Sequence, residues 1–452
     1  MVGDFEQESK TLAMHLGISS SDTLYSRWLE VVDACGDAVA VWDGGRVWTF
    51  AALAAEVDAV SLGRREVRAV TGGGVDFLVA VLCGWRDDAV VWPQDSVARS
   101  DTAELDVEGL AETTVHLKST SGTTGASKLV MFDASALVVD AAQIVEVMEM
   151  SRDRPNVAAI SLAHSYGFSN LVLPLLLHGV PIWFAKSPLP AAVSEVLAAV
   201  HNCCTLAAVP AMWLAWHRAG VLAEFGQKVA TAVSAGAPLP LALEREVFES
   251  SGVKIHNFYG SSECGGITYD RSSSPREDAG FVGEVMPAVR AACNDEGCLE
   301  VRGDAVGSGY YGGVENDVLG GGVFRTSDLA RLDGDRVFLT GRVDDMINVA
   351  GRKVSPARIE AVLKASLLVD EVLVFGVDCA EHAREQQIVA VVSPLAAEDA
   401  VLSDIKSRCA DTLATWQCPR EWWVTAELKA DARGKLSRTD WRQRWRERAV
   451  VR

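Results

Sequence analysis

Several features common in chains of this size are missing. Ten cysteines are present without a single Cys-x-x-Cys pair, and no secretory leader opens the sequence, which leads us to expect free thiols in a reducing cytoplasm. The adjacent Cys203 and Cys204 read as buried small hydrophobes. Long apolar runs are also lacking. The longest, Leu171 to Ala185, is interrupted by Pro174, His178 and Pro181 and is too short to span a bilayer. Positive charge is scarce, with 42 Lys and Arg against 61 Asp and Glu and a net charge of −19. That balance argues against a general affinity for nucleic acid or anionic membrane, so an anionic ligand would need locally placed cations. The Walker spacing Gly-x-x-x-x-Gly-Lys-Ser/Thr is absent, and no internal repeat stands out.

What is present describes a globular chain. With 452 residues, 49% of them hydrophobic, it can bury a large core and is expected to divide into at least two domains. Residues 50–95 read as helix, strand, helix, strand, over Phe50–Val60, Val67–Val70, Phe77–Trp85 and Ala89–Trp92. Further strands are expected at Val157–Ser161, Val180–Phe184, Thr205–Val209, Val229–Val233 and Lys254–Asn257, with helices at 191–200, 211–223 and 240–249. Apolar strands alternating with helices imply an α/β fold with parallel sheets covered on both faces, where ligands sit beyond the carboxyl ends of strands. From about 280 to 335 short strands with glycine turns suggest a small β-rich module. A compact C-terminal domain begins near 345, with a helix at 356–365, strands at 371–376 and 387–393, and a basic, solvated helix from Arg442 to Arg452. We therefore expect an N-terminal domain over 1–343 and a small, mobile α+β domain over 345–452.

Five segments carry polar chemistry. Thr120-Ser121-Gly122-Thr123-Thr124-Gly125-Ala126-Ser127-Lys128 combines little side-chain bulk, many hydroxyls and a closing lysine. It reads either as a cradle for a polyphosphate or as a flexible linker. Tyr259-Gly260-Ser261-Ser262-Glu263 offers a flat aromatic face, a hydroxyl and a hard oxygen donor suited to Mg²⁺. Ser234-Ala235-Gly236-Ala237-Pro238 forms a tight turn able to pass backbone edges along a base, and Asp328 in Arg325-Thr326-Ser327-Asp328 could accept both hydroxyls of a ribose. Near the end lies Arg433-Gly434-Lys435-Leu436-Ser437-Arg438.

In this order and at these separations the motifs resemble those of the acyl-activating, adenylate-forming superfamily: acyl- and aryl-CoA synthetases, adenylation domains and firefly-type luciferases. The resemblance runs from about Trp48-Thr49-Phe50 to Arg438. It implies that Thr120 to Lys128 cradles the β- and γ-phosphates of ATP and that Gly236, Ala237 and Tyr259 line the adenine, with Gly260 beside them. It further implies that Ser262 contacts the α-phosphate, Glu263 holds Mg²⁺, and Asp328, assisted by Arg342, binds the ribose. Asp344 matches the hinge, Gly351 the segment lining the thiol tunnel, and Lys435 the lysine that bridges carboxylate and α-phosphate. The chain departs from the family pattern at Ser127, where proline is usual, at Ser327, where glycine is usual, and in Lys429-Ala430-Asp431-Ala432 before the terminal lysine.

No aspartate stands in Leu162-Ala163-His164-Ser165, where amino-acid-activating relatives bind the α-ammonium, so a free amino acid is not the expected substrate. His164 matches the histidine that closes over the carboxylate in acyl- and aryl-CoA synthetases, while a satisfied core histidine is the plain alternative. Tyr166, Phe168, Val209, Met212, Trp213, Ser234, Gly265 and Gly266 are expected to line a mostly apolar acid pocket fitting an aryl, cinnamyl-like or medium-chain acyl group. Cys264 reads as a packing residue. The expected activity is AMP-forming ligation of a small carboxylic acid to CoA, using MgATP. The alternatives are loading of a separate acyl carrier protein and transfer of the adenylate to another acceptor such as an amine.

Overall fold

The computed structural model describes residues 23–59, 66–95, 105, 109–120, 128–313, 317–379, 382–429 and 436–451. Among these, six strands run parallel in the spatial order Val39–Asp43, Ile182–Phe184, Asn156–Ala158, Cys204–Ala208, Val229–Ser234 and Ile255–Ser261. Helices such as Pro190–Ala199, Pro210–Arg218 and Leu241–Ser251 return the chain between several of them. Successive residues of a strand point to opposite faces, and here that alternation separates two cores. Val157, Leu206 and Ala232 join one cluster, whereas their neighbours Ala158, Ala207 and Val233 join the other. Both faces are buried, as parallel strands require.

The β-rich stretch expected as a small module of the N-terminal domain continues this same sheet. Ile255–Ser261 pairs antiparallel with Gly265–Tyr269, and the strands Phe281–Val285, Arg336–Arg342, Val323–Asp333, Cys298–Gly303 and Val289–Cys293 follow in antiparallel order. Short glycine turns permit antiparallel neighbours, which is why they were legible as β structure but not as an extension of the parallel half. Two local expectations also change. The strand expected to end at Asn257 extends to Ser261, so the aromatic motif begins inside it, and the helix expected over 211–223 divides into Pro210–Arg218 and Val221–Phe225.

A second sheet has the order Gly309–Tyr310, Leu129–Phe132, His116–Ser119, Val90–Gln94 and Val67–Thr71. Its two strands on either side of the glycine-rich segment, His116–Ser119 and Leu129–Phe132, pair antiparallel as a hairpin.

After Arg342 comes a smaller α+β region. The hairpin Ile347–Val349/Arg352–Val354 leads to a sheet in which His382–Pro394 lies between antiparallel Val369–Cys379 and parallel Glu421–Val424. The helices Pro356–Lys364 and Glu398–Thr412 bury Ile359, Leu363, Val401 and Ile405 on one face. The basic helix Arg438–Val451 is only partly solvated: Trp441 packs on Trp423 at 5.1 Å between ring centroids, and Trp445 stands 6.1 Å away. No described helix is long and apolar enough to cross a membrane. The described cysteines are all free, and burial pushes the Cys204 and Cys264 thiols up to about 12, as expected of packing residues.

Candidate active site

The ends of the glycine-rich segment, the Tyr259–Glu263 segment and Asp328 come together near the carboxyl end of Ile255–Ser261. At the neck of the glycine-rich hairpin, Thr120 N–H donates to Lys128 O at 2.9 Å, and Lys128 N–H donates to Thr120 Oγ1 at 3.0 Å. Ser121, Gly122, Thr123, Thr124 and Gly125 lie outside the described residues, as does Lys435. Lys128 Nζ stands 5.1 Å above the Tyr310 ring, and the Tyr310 hydroxyl donates to Glu263 Oε1 at 3.2 Å. Gly307 N–H fixes the Glu263 backbone through its carbonyl at 2.8 Å. Next to it, the Ser262 hydroxyl lies 2.9 Å from Ser165 Oγ and donates to Ser119 O at 3.3 Å. Lysine, carboxylate and hydroxyls thus meet where the hairpin neck faces the Tyr259–Glu263 segment.

Asp328 is positioned by strand register: its Cα pairs directly with that of Arg342 across the antiparallel ladder. Arg342 Nε lies 3.1 Å from Asp328 Oδ1, and the Tyr259 hydroxyl donates to Asp328 Oδ2 at 2.6 Å. Burial and the adjacent Asp328 carboxylate push the Tyr259 hydroxyl well above its ordinary range, so it remains a donor at neutral pH. Arg342 also donates to Ser327 Oγ at 2.7 Å, a contact that glycine, usual at this position, would lack. Gly236 is exposed in the turn after Val229–Ser234, with Ala237 half-buried beside it. Gly260 lies in the strand after Tyr259.

His164 precedes a helical turn, and its Nε2 lies 2.6 Å from Asp95 Oδ2. The other oxygen of Asp95 accepts from Ser161 Oγ at 2.6 Å. The turn is held close to the strand end by Gly167, since a Cβ there would stand 1.9 Å from Ser161 O. A π-helical turn, Phe168–Val172, follows immediately. Such turns insert an extra residue and redirect side chains, and they recur at functional sites.

The residues expected around the acid divide into two groups. Met212 and Val209 are half-buried, and Tyr166, also half-buried, donates its hydroxyl to Val233 O at 3.1 Å. Phe168 instead lies in the core, its ring 4.4 Å from His116. Trp213 is likewise fully buried and packs on Trp216 at 5.2 Å, because spacing of three along the helix sends both to its inner face. Ser234 is completely buried as well. Gly265 and Gly266 face Asp140, Phe258 and Met286 at distances that exclude a side chain, so packing accounts for both glycines. These five were expected to line the pocket on residue type alone, and apolar or small residues serve a core equally well.

Asp344 is exposed just after the strand ending at Arg342, and Gly351 occupies the exposed turn of the following hairpin. Arg438 binds Asp345 Oδ2 at 3.0 Å and Glu360 at 2.8 Å, joining the segment after Lys435 to the residue after Asp344. Asp95 and Tyr310 stood in no expected motif, while Ser165 and Arg438 lay inside quoted segments without an expected role. Tyr310 carried one indirect signal, its place in the glycine-rich run Gly307 to Gly313.

Residues 87–311 match the AMP-binding enzyme model, and residues 358–435 match the AMP-binding enzyme C-terminal domain. The chain belongs to the AMP-binding, adenylate-forming family. This AMP-binding family member is 28% identical over 344 residues to indoleacetate–CoA ligase of Aromatoleum aromaticum, covering 72% of the chain and 66% of the relative. It is 27% identical over 336 residues to benzoate–CoA ligase of Thauera aromatica, covering 70% and 63%. It thus spans about two thirds of the length of these curated relatives. Its fold matches that of ATP-bound MatB from Rhodopseudomonas palustris, with a TM-score of 0.81 and 20% identity over 94% of this chain and 99% of that one. The amide bond synthetase McbA from Marinactinospora thermotolerans gives 0.77 and 20% over 93% and 100%. At such identities the likeness concerns the fold.

Proposed function

We propose that the chain is an AMP-forming carboxylic acid–thiol ligase that activates an aryl, cinnamyl-like or medium-chain acyl carboxylate with MgATP and passes it to CoA. The observation that carries this reading is the meeting of Lys128, Ser262, Glu263 and the Tyr259–Asp328–Arg342 triplet near the carboxyl end of Ile255–Ser261. Asp328, held through both oxygens, is oriented to accept ribose hydroxyls, while Lys128 and the hairpin backbone take the terminal phosphates. Ser262 meets the α-phosphate.

Among the described residues no cluster of three or more His, Cys, Asp or Glu could hold a metal by itself. One half-buried carboxylate suits Mg²⁺ nonetheless, because that ion is commonly held by one or two carboxylates together with substrate phosphates. Glu263 would hold it, and the bound ion would stabilise negative charge accumulating on the phosphates. His164, oriented by Asp95, closes over the reacting carboxylate, and Lys435 supplies the cation between carboxylate and α-phosphate. Exposed Asp344 serves as the hinge between domains 1–343 and 345–452, and the Ala350–Gly351 turn lines the thiol path in the second half-reaction.

The names of the curated relatives support an acid–CoA ligase, and an aromatic acid agrees with indoleacetate and benzoate in two of them. The test is ATP–pyrophosphate exchange over benzoates, cinnamates, short to long fatty acids and amino acids, followed by product formation with CoA, a carrier protein or an amine. Exchange with one acid class and CoA-dependent product supports the proposal. Exchange without CoA dependence transfers the reading to the carrier-loading or amide-forming alternative, and silence across the panel overturns it.

A further inference from the structure

Beneath the proposed nucleotide site lies an ion pair that no motif announces. Lys118 and Asp140 each expose only 2% of their side chains, with Nζ 3.7 Å from Oδ2. Ser169 joins the two: Lys118 Nζ donates to its hydroxyl at 3.2 Å, and that hydroxyl donates to Asp140 Oδ2 at 2.6 Å. The other carboxylate oxygen accepts Gly266 N–H at 3.0 Å, and Gln143 donates to Gly266 O at 3.2 Å. Gly265 has φ +67°, and a Cβ there would stand 2.2 Å from Asp140 Oδ1, so the backbone rests directly on the carboxylate.

The four segments meeting at this pair bear on the site. Lys118 stands two residues before Thr120 at the root of the glycine-rich hairpin. Ser169 belongs to the π-helical turn that follows His164, Ser165 and Tyr166. Gly265 and Gly266 open the strand that follows the turn carrying Ser262 and Glu263, and Asp140 comes from the helix Ala134–Val147 behind them all. Burial pulls the Lys118 ammonium below its ordinary range, with Asp140 drawing it back, so the pair is dear to keep in a site that apolar side chains could fill. Neither charge is exposed enough to reach a substrate.

We propose that Lys118 and Asp140 are positioning residues, fixing the hairpin root, the Ser262–Glu263 turn and the His164 turn relative to one another for adenylation. The proposal rests on the ligase reading for its consequence in turnover, but its structural content is tested without substrates. In the full chain, Lys118→Met with Asp140→Asn removes both charges while leaving an amide oxygen to accept Gly266 N–H. We expect amide hydrogen exchange at residues 262–266 of the nucleotide-free protein to rise about tenfold while protection elsewhere is kept. In ATP–pyrophosphate exchange we expect kcat/KM for ATP to fall about tenfold. A uniform change in protection, or exchange at 262–266 and kcat/KM within about twofold of wild type, overturns the proposal. If the double variant does not fold, Ser169→Ala reads the same quantity by removing the hydroxyl that joins both charges, and unchanged protection at 262–266 overturns it. Silence of the wild-type protein with every acid would refute the ligase reading and leave the hydrogen-exchange result standing.

Discussion

On the side proposed for the nucleotide, the expected residues meet directly or through an unexpected neighbour: Tyr259 and Arg342 grip Asp328, Tyr310 bridges Lys128 and Glu263, and Ser262 meets Ser165. On the side proposed for the acid, Phe168 and Trp213 turn into two separate cores, and Gly265 and Gly266 press on Asp140. The contrast has a chemical origin. Phosphates and ribose demand cations, hydroxyls and carboxylates that a core would reject, so those residues stand out in a sequence. An apolar acid asks for the residue types that also fill a core, and only packing separates the two uses.

Substituting Trp213 is the strongest way to break this contrast. Trp213→Ala should cost about 3–5 kcal/mol in urea unfolding while leaving the order of preferred acids unchanged. A shifted acid preference without that loss would return Trp213 to the pocket. Lys435→Ala should slow pyrophosphate exchange about a hundredfold or more, with ATP binding by calorimetry little altered. Equal rates would remove Lys435 from the mechanism. Asp328→Asn should raise the KM for ATP about tenfold, and the gap from wild type should narrow with 2′-deoxy-ATP. An unchanged gap would place the ribose elsewhere. Tyr310→Phe keeps the ring below Lys128 but removes the hydroxyl on Glu263, so kcat should fall only about fivefold. A larger loss would mean that Tyr310 does more than orient the carboxylate.

The same division describes how much was legible beforehand. Apolar runs of strand length between helices announced the parallel half, because parallel strands buried on both faces leave that pattern. The β structure at 280–335 was visible through its glycine turns, yet its continuation of the main sheet was not. Pairing across Ile255–Ser261 and Gly265–Tyr269 is a tertiary choice that no turn residue encodes. At the site, Glu263 and Asp328 were recognisable from their motifs, whereas Asp95, just after the strand Val90–Gln94, reaches His164, and Tyr310, from the strand Gly309–Tyr310, reaches Glu263.

By itself the sequence determined the α/β class and the family, and it singled out the polar residues proposed for the nucleotide, since chemistry restricts those positions to few residue types in a fixed order. The tertiary structure alone decided which apolar residues face the site and which fill a core. It also decided that Lys118, Asp140, Ser169 and Gly266 meet at all. Their contacts join residues up to 126 positions apart. Burial and register arise when such segments pack together, and a local pattern of residues carries neither.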